Sequence, residues 1–259
     1  MVEYSAEEMM TVAAARLLRD GMVCFVGIGL PSAAANLARL THAPEIVLIY
    51  ESGTIGTKPT ALPLSIGDGE LAATADTVVS VPEMFRYWLQ GGRIDVGFLG
   101  AAQVDRYGTI NTTVIGDYER PTVRLPGAGG APEIATLAGE VFIILRHGKR
   151  ALVEHLDFVT SPGLRSFDRV EGPGRRGKGP TVLVTDLGML KPDPETRELT
   201  LVALHPGASF EQAKAATGWD LKVAADLART SPPTAAELDA LRALHERTRL
   251  AHGEAQSRR

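Results

Sequence analysis

Glu51 stands where a carboxylate can do chemistry. It follows Ile46-Val-Leu-Ile-Tyr50, an apolar run that reads as a buried parallel strand, and it opens the glycine-punctuated turn Glu51-Ser-Gly-Thr-Ile-Gly56. Ligands of open α/β sheets collect outside the carboxyl ends of the strands, which makes this position a candidate for catalysis; a solvated loop acid or a helix cap fits it as well. A glutamate side chain is ordinarily anionic at neutral pH and attacks without a general base. Attack on a thioester gives a mixed anhydride, which keeps the acyl group activated and suits exchange between two carboxylic acids. The developing oxyanion then needs hydrogen-bond donors, and losing one typically costs about 3 kcal/mol.

A glycine loop offers such donors. Pro126-Gly127-Ala128-Gly129-Gly130-Ala131 precedes a short helix reaching Ala138, an arrangement that exposes backbone N–H groups to an oxyanion or a phosphate, or simply makes a turn. A second turn, Gly27-Ile-Gly29, lacks the third glycine of a dinucleotide fingerprint, because Ser32 occupies that place. It reads as a tight turn that lets backbone approach a ligand or a neighbouring loop.

Rival chemistries find no motif. The sequence holds neither a G-x-S-x-G elbow nor H-E-x-x-H metal spacing. The single cysteine, Cys24, excludes an internal disulfide and sits in Met22-Val-Cys-Phe-Val26, a core strand. His42, His245 and His252 read as surface residues, His147 as a turn residue, His155 as part of a strand, and His205 as the residue before Pro206-Gly207. Each reads as structural or solvated.

The elements that would position Glu51 alternate. Ser5-Ala-Glu-Glu8 is a capping box for a helix over about 6–19, Met22–Val26 is a strand, and 32–40 is a helix made largely of small residues. Further strands are expected at 78–81, 95–101, 141–145, 150–158, 182–186 and 199–204, with a helix from Pro82 through Leu89 and a polar turn over 103–108. Thr234-Ala-Ala-Glu237 caps a last helix through about Leu250. This pattern predicts an α/β fold: an open, mainly parallel sheet with helices on both faces and late antiparallel edge strands. Residues 1–250 read as one domain and 251–259 as a frayed tail. Pro59–Gly69 reads as a rim loop near the site. The stretch 161–180, with Arg165, Arg169, Arg175, Arg176 and Lys178, reads either as a lid for a phosphorylated ligand or as a solvated loop.

Composition narrows the function. A chain of 259 residues, 44% hydrophobic, buries a large core, and a net charge of −4 argues against a nucleic-acid or anionic-membrane binder. No apolar run reaches bilayer-spanning length, and Glu3, Glu7 and Glu8 lie where a signal peptide would be basic and apolar, so a cytoplasmic location is expected.

Tyr50-Glu-Ser-Gly53 with Gly56, Gly100-Ala-Ala-Gln-Val-Asp-Arg-Tyr-Gly108 with Asn111, Pro126–Ala131, Leu204-His-Pro-Gly207 and Thr217-Gly218 together resemble the β (B) subunit of family I CoA-transferases, over about residues 5–245. The likeness is to the glutaconate CoA-transferase branch; the acetoacetate/3-oxoadipate branch commonly has E-N-G where this chain has Glu51-Ser52-Gly53. The resemblance implies that Glu51 is the nucleophile that forms acyl-anhydride and glutamyl-CoA thioester intermediates. It implies that Gly127, Ala128, Gly129, Gly130 and Ala131 line the oxyanion and CoA pocket, with Gly27, Gly29, Ser52, Gly53 and Gln103 as supporting turns. It further implies a CoA thioester as substrate, a small carboxylic acid of glutaconate or 3-oxoacid type, no metal and no permanently bound cofactor. A separate α (A) subunit would complete the site at the subunit interface, in a heterotetramer or larger. Pro132-Glu133 departs from the small polar pair expected after the glycine loop. The other readings are a CoA-thioester hydrolase or decarboxylase with Glu51 as base, and a non-catalytic ligand-sensing α/β domain.

Overall fold

The computed structural model describes residues 3–167 and 177–257. Its first half runs α1 (Ala6–Ala15), β1 (Val23–Val26), α2 (Leu30–Leu40), β2 (Val47–Ile49), β3 (Thr54–Ile55), α3 (Gly69–Ala73), β4 (Thr77–Val78) and α4 (Val81–Glu83). α4 passes directly into a π-helix, Met84–Leu89, and then comes β5 (Val96–Gly100). Two small hairpins follow, β6 (Gln103–Val104) with β7 (Ile110–Asn111), and β8 (Val114–Gly116) with β9 (Pro121–Arg124). The second half runs α5 (Ala131–Leu137), β10 (Glu140–Ile144), α6 (Leu164–Phe167), β11 (Pro180–Val184), β12 (Gly188–Pro192), β13 (Leu199–Leu204), α7 (Phe210–Ala215), β14 (Val223–Arg229) and α8 (Ala235–Ser257).

Ten strands form one sheet in the order β14-β13-β12-β11-β10-β5-β1-β2-β3-β4. Its centre, from β11 to β2, is parallel throughout, and β13–β14 is parallel as well. Antiparallel pairs flank the centre on both sides, at β2–β3–β4 and at β11–β12–β13. The expected α/β architecture is therefore present, with antiparallel pairing early in the chain as well as late.

Period-two alternation divides the apolar strand residues between two cores. Cys24, Val26, Leu48, Tyr50 and Phe98 face the core shared with α1, α2 and Leu241 of α8. Phe25, Ile49 and Leu99 face the core holding Met84 and Leu89 of the π-helix and Ile134 of α5. A bidentate pair from Arg16 to Glu237 ties the end of α1 to the start of α8.

Several local expectations change. No strand forms over 150–158: Leu152 makes a single parallel bridge to Val104, and the chain then bends away. Residues 103–104 pair as a strand instead of turning. The strand expected at 78–81 stops at Val78, because Ser80 caps a helix by accepting the Glu83 N–H. The first helix ends at Ala15, and the last extends past Leu250 to Ser257.

Candidate active site

Alternation at the end of β2 sets the direction of Glu51. Tyr50 points into the α2 side, fully buried, with its hydroxyl 2.7 Å from Ser32 Oγ and 3.4 Å from Asn36 Nδ2. Burial pushes its phenol up to about 12, so it stays a neutral anchor. Glu51, one residue on, turns toward α5. A hairpin turn holds it: Gly53 N–H donates to Tyr50 O (3.0 Å), and Tyr50 N–H donates to Thr54 O (3.2 Å). Gly53 sits at φ +92°, and a Cβ there would lie 2.0 Å from Val79 O, so only glycine fits. Val79 N–H in turn donates to Gly53 O (2.9 Å), stitching the turn to the chain beyond β4.

The glycine loop meets this turn. Thr112 fixes one end, accepting the Gly127 N–H (2.9 Å) and donating its hydroxyl to Gly127 O (2.8 Å). At the other end, Gly130 N–H donates to Glu51 Oε1 at 2.6 Å. Phe85 of the π-helix roofs this contact: a Cβ on Gly130 would fall 2.4 Å from Phe85 Cζ and 2.6 Å from Glu51 Oε1. An amide that reaches the carboxylate is also placed to reach the oxygen of an acyl group bonded to it. α5 is only seven residues long, so the useful feature is this particular N–H more than a helix dipole.

Two clefts flank Glu51. One of about 680 Å³ is walled by Ile66, Val81, Phe85, Arg86 and Pro132. The other, about 480 Å³, is walled by Gly27, Ile28, Ala101, Thr112 and Leu125. Glu51, Ile66 and Gly129 line both. The carboxylate thus stands on the wall between two clefts, open to a ligand from either side.

The residues singled out in the sequence divide accordingly. Gly129 and Gly130 meet Glu51, while Gly27, Gly127, Ala128 and Ala131 line the smaller cleft. Gly29, at φ +86°, precedes α2 and lines neither cleft. Ser52 lies 3.5 Å from Thr54 within the turn. Gln103 is buried away from both clefts, accepting from Asn111 Nδ2 and donating to Asp157. Of the basic stretch, Arg169, Arg175 and Arg176 lie outside the described residues, and Arg165 stacks 3.9 Å over Tyr107.

Sequence reasoning missed Phe85 and Arg86 as cleft residues. The signal was present: Val81, Phe85 and Leu89, with Pro82, Arg86 and Gln90, recur at helical spacing, but spacing alone does not show which face meets a ligand. The π-helix closes with Gln90 N–H donating to Phe85 O (2.8 Å), and such turns recur at functional sites.

Among the described residues no set of three His, Cys, Asp or Glu side chains is grouped to hold a metal, and no helix is long and apolar enough to cross a membrane. Burial pushes the Cys24 thiol up, as expected for an inert core residue.

Comparison with known proteins shows the family of the chain. The coenzyme A transferase family model matches residues 7–216. The chain is 62% identical to the B subunit of the 3-oxoadipate CoA-transferase of Pseudomonas knackmussii, covering 98% of both chains. It is 36% identical to the B subunit of the glutaconate CoA-transferase of Acidaminococcus fermentans, covering 90% of this chain and 89% of that one. The crystal structure of glutaconate CoA-transferase from that organism superposes with a TM-score of 0.83 at 33% identity, covering 93% of this chain and 94% of that one. With a carboxylate held between two clefts on this fold, the chain belongs to the coenzyme A transferase family, as the β subunit of a heteromeric enzyme.

Proposed function

We propose that this β subunit, paired with an α subunit in a heterotetramer or larger assembly, moves CoA between an acyl-CoA and a dicarboxylic acid of the 3-oxoadipate or glutaconate type, with Glu51 as the covalent relay. The observation that carries the reading is the 2.6 Å bond from Gly130 N–H to Glu51 Oε1 on the wall between the two clefts. The Glu51 carboxylate attacks the thioester carbonyl and CoA leaves as thiolate, giving an acyl–glutamyl anhydride. The thiolate then attacks the glutamyl carbonyl, releasing the first acid and leaving a glutamyl-CoA thioester. The second acid attacks that thioester, and the returning thiolate takes its acyl group, restoring Glu51. No water is consumed and no net proton is gained or lost. Gly130 N–H stabilises the oxyanion at each attack, and Gly127, Ala128 and Ala131 line the CoA side. Gly27, Gly29, Ser52, Gly53 and Gln103 act at one remove, through the turns. CoA enters as substrate, with no resident cofactor. Residues 1–250 act as one domain, in the cytoplasm.

The test uses the complex with its α subunit. Incubation with acyl-CoA followed by borohydride should inactivate the enzyme and convert the acid at position 51 to an alcohol, located by peptide mass. Glu51→Ala should lower transfer by at least about 10³-fold, the loss of a covalent route. Transfer that survives this substitution largely intact rejects the relay, and acceptor-independent release of CoA would assign hydrolysis instead.

A further inference from the structure

The larger cleft carries a charge that the transfer chemistry does not use. Arg86 lines it from the π-helix, and it is the one basic side chain among the residues lining either cleft beside Glu51. Among the described residues Arg86 has no ion pair, and none joins it to Glu133, the acid that lines the same cleft from the first turn of α5. Arg86 is exposed at the cleft's surface, and the lining it shares with Glu51 is mostly apolar (Ile66, Val81, Pro82, Phe85 and Pro132), with Gln90 and Glu133 as the other polar side chains. A largely apolar cleft lined by both a reacting carboxylate and a guanidinium matches a short chain that reacts at one end and is anionic at the other.

The π-helix is what presents the arginine. Val81, Pro82, Phe85, Arg86 and Gln90 all line this cleft, although they span ten residues of one helical segment. Phe85 is committed to roofing Gly130 and packs on Phe25 at 5.8 Å between ring centres. Its neighbour Arg86 therefore has its backbone fixed by the same contacts that fix the oxyanion donor.

We propose that Arg86 is the specificity-determining residue that receives the distal carboxylate of a dicarboxylic acyl group while the proximal carboxyl reacts at Glu51. This rests on the transferase reading above. The planar fork of arginine suits a carboxylate held by paired hydrogen bonds. The phosphates of CoA are the competing anion, but the pantetheine arm separates them from the thioester carbon by many more bonds than separate the two carboxyls of a six-carbon diacid.

The experiment compares Arg86→Gln and Arg86→Lys with the wild-type complex, using 3-oxoadipate and the six-carbon 3-oxo monoacid as acceptors. Arg86→Gln should raise KM for the diacid by at least about tenfold, the effect of losing a charge-assisted hydrogen bond, and leave kcat within about threefold. The monoacid should be unaffected, and Arg86→Lys should recover part of the diacid preference. Equal effects on both acids overturn the proposal. So does a KM increase for the acyl-CoA donor that vanishes with an acyl-pantetheine donor, which would assign Arg86 to the phosphates. Calorimetric binding of the free diacid to each complex reads Arg86 without turnover. Diacid binding lost in Arg86→Gln, in a complex that transfers no CoA, would keep this inference and reject the transferase reading. Unchanged diacid binding in a complex that does transfer CoA would do the reverse.

Discussion

Polar clusters at the ends of β2 and β11 are finished differently. Around Thr185, beyond β11, every group meets a partner of the chain's own. The His147 ring sits 3.0 Å from Thr185 Oγ1 through Nδ1 and 3.1 Å from Ala213 O through Nε2, and its backbone N–H donates to Asp186 Oδ1 (2.6 Å). His205 bonds Thr230 Oγ1 and Thr185 O, both at 2.8 Å. Neither histidine lines a cleft beside Glu51. Around Glu51 the same fold holds a carboxylate by one amide and leaves it facing two clefts. Polar groups closed by their own partners hold structure together, and a polar group left open beside cavities is available to a ligand. Substitutions in the first cluster should therefore move stability, and substitutions in the second should move turnover.

Gly130→Ala gives the largest separation of the two. Gly130 has an ordinary φ of −87°, so the backbone tolerates alanine, but the new methyl would press on Phe85 Cζ and Glu51 Oε1. Transfer should fall by at least about 10²-fold, the scale of a displaced oxyanion donor. Overpacking should cost only about 1–3 kcal/mol of stability. Steady-state kinetics and urea unfolding of the same preparation decide the matter: stability collapsing while turnover per folded molecule holds would make the loop merely structural.

The histidine cluster should show the opposite behaviour, through pH. Burial holds His147 and His205 below the ordinary histidine range. The unfolded chain, titrating near 6.5, then binds more protons than the folded one below that pH. Their contribution is complete above about 6.5 and is lost as pH falls toward the depressed folded values, each by at most about 1.4 kcal/mol per pH unit. Urea midpoints should fall between pH 7.5 and 5.5, and more shallowly in His205→Gln. A wild-type midpoint that stays flat over that window would mean the folded protein accepts the protons.

How much of this contrast was legible in the sequence depended on how local its cause was. The apolar runs at 22–26 and 46–50, and the stretch 96–99 within 95–101, are largely buried on both faces, and such runs announce themselves. Glu51 and the loop 127–130 were found because a strand-end acid and clustered glycines carry their signals in a few residues. β3, β7 and β8 are two or three residues each and exist only because a partner strand lies alongside. The false strand at 150–158 has the opposite origin: Leu152 satisfies an apolar pattern, yet its carbonyl accepts from Gly218 and not from a ladder. Arg86 was out of reach because its meaning comes from the cleft opposite it, assembled by residues far away in the chain. The same holds for Tyr50, whose anchoring to Ser32 and Asn36 was invisible inside an apolar run.

The smallest expected effect serves as the control for the comparison, because it lies far from both clusters. Glu237 accepts from Arg16 through both oxygens at 2.7 Å, and from Thr234 N–H (2.7 Å) in the capping box that starts α8. Burial works to raise its pKa, but the Arg16 and Thr234 bonds outweigh it and hold the carboxyl at about 2. A folded value below the unfolded one contributes stability that is complete above about 4.5 and is lost as pH falls toward about 2. Glu237→Gln should cost about 1–2 kcal/mol at pH 7, and the gap to wild type should narrow at pH 4 and again at pH 3. Transfer measured at neutral pH should be unchanged, since nothing in this pair touches the wall between the clefts. A gap that stays constant down to pH 3 would show that helix capping by Thr234, and not the ionised pair, supplies the stability. A loss of turnover at neutral pH would show that the α1–α8 layer is coupled to Glu51 through α2 and Tyr50, and the clean division between the two clusters would fail.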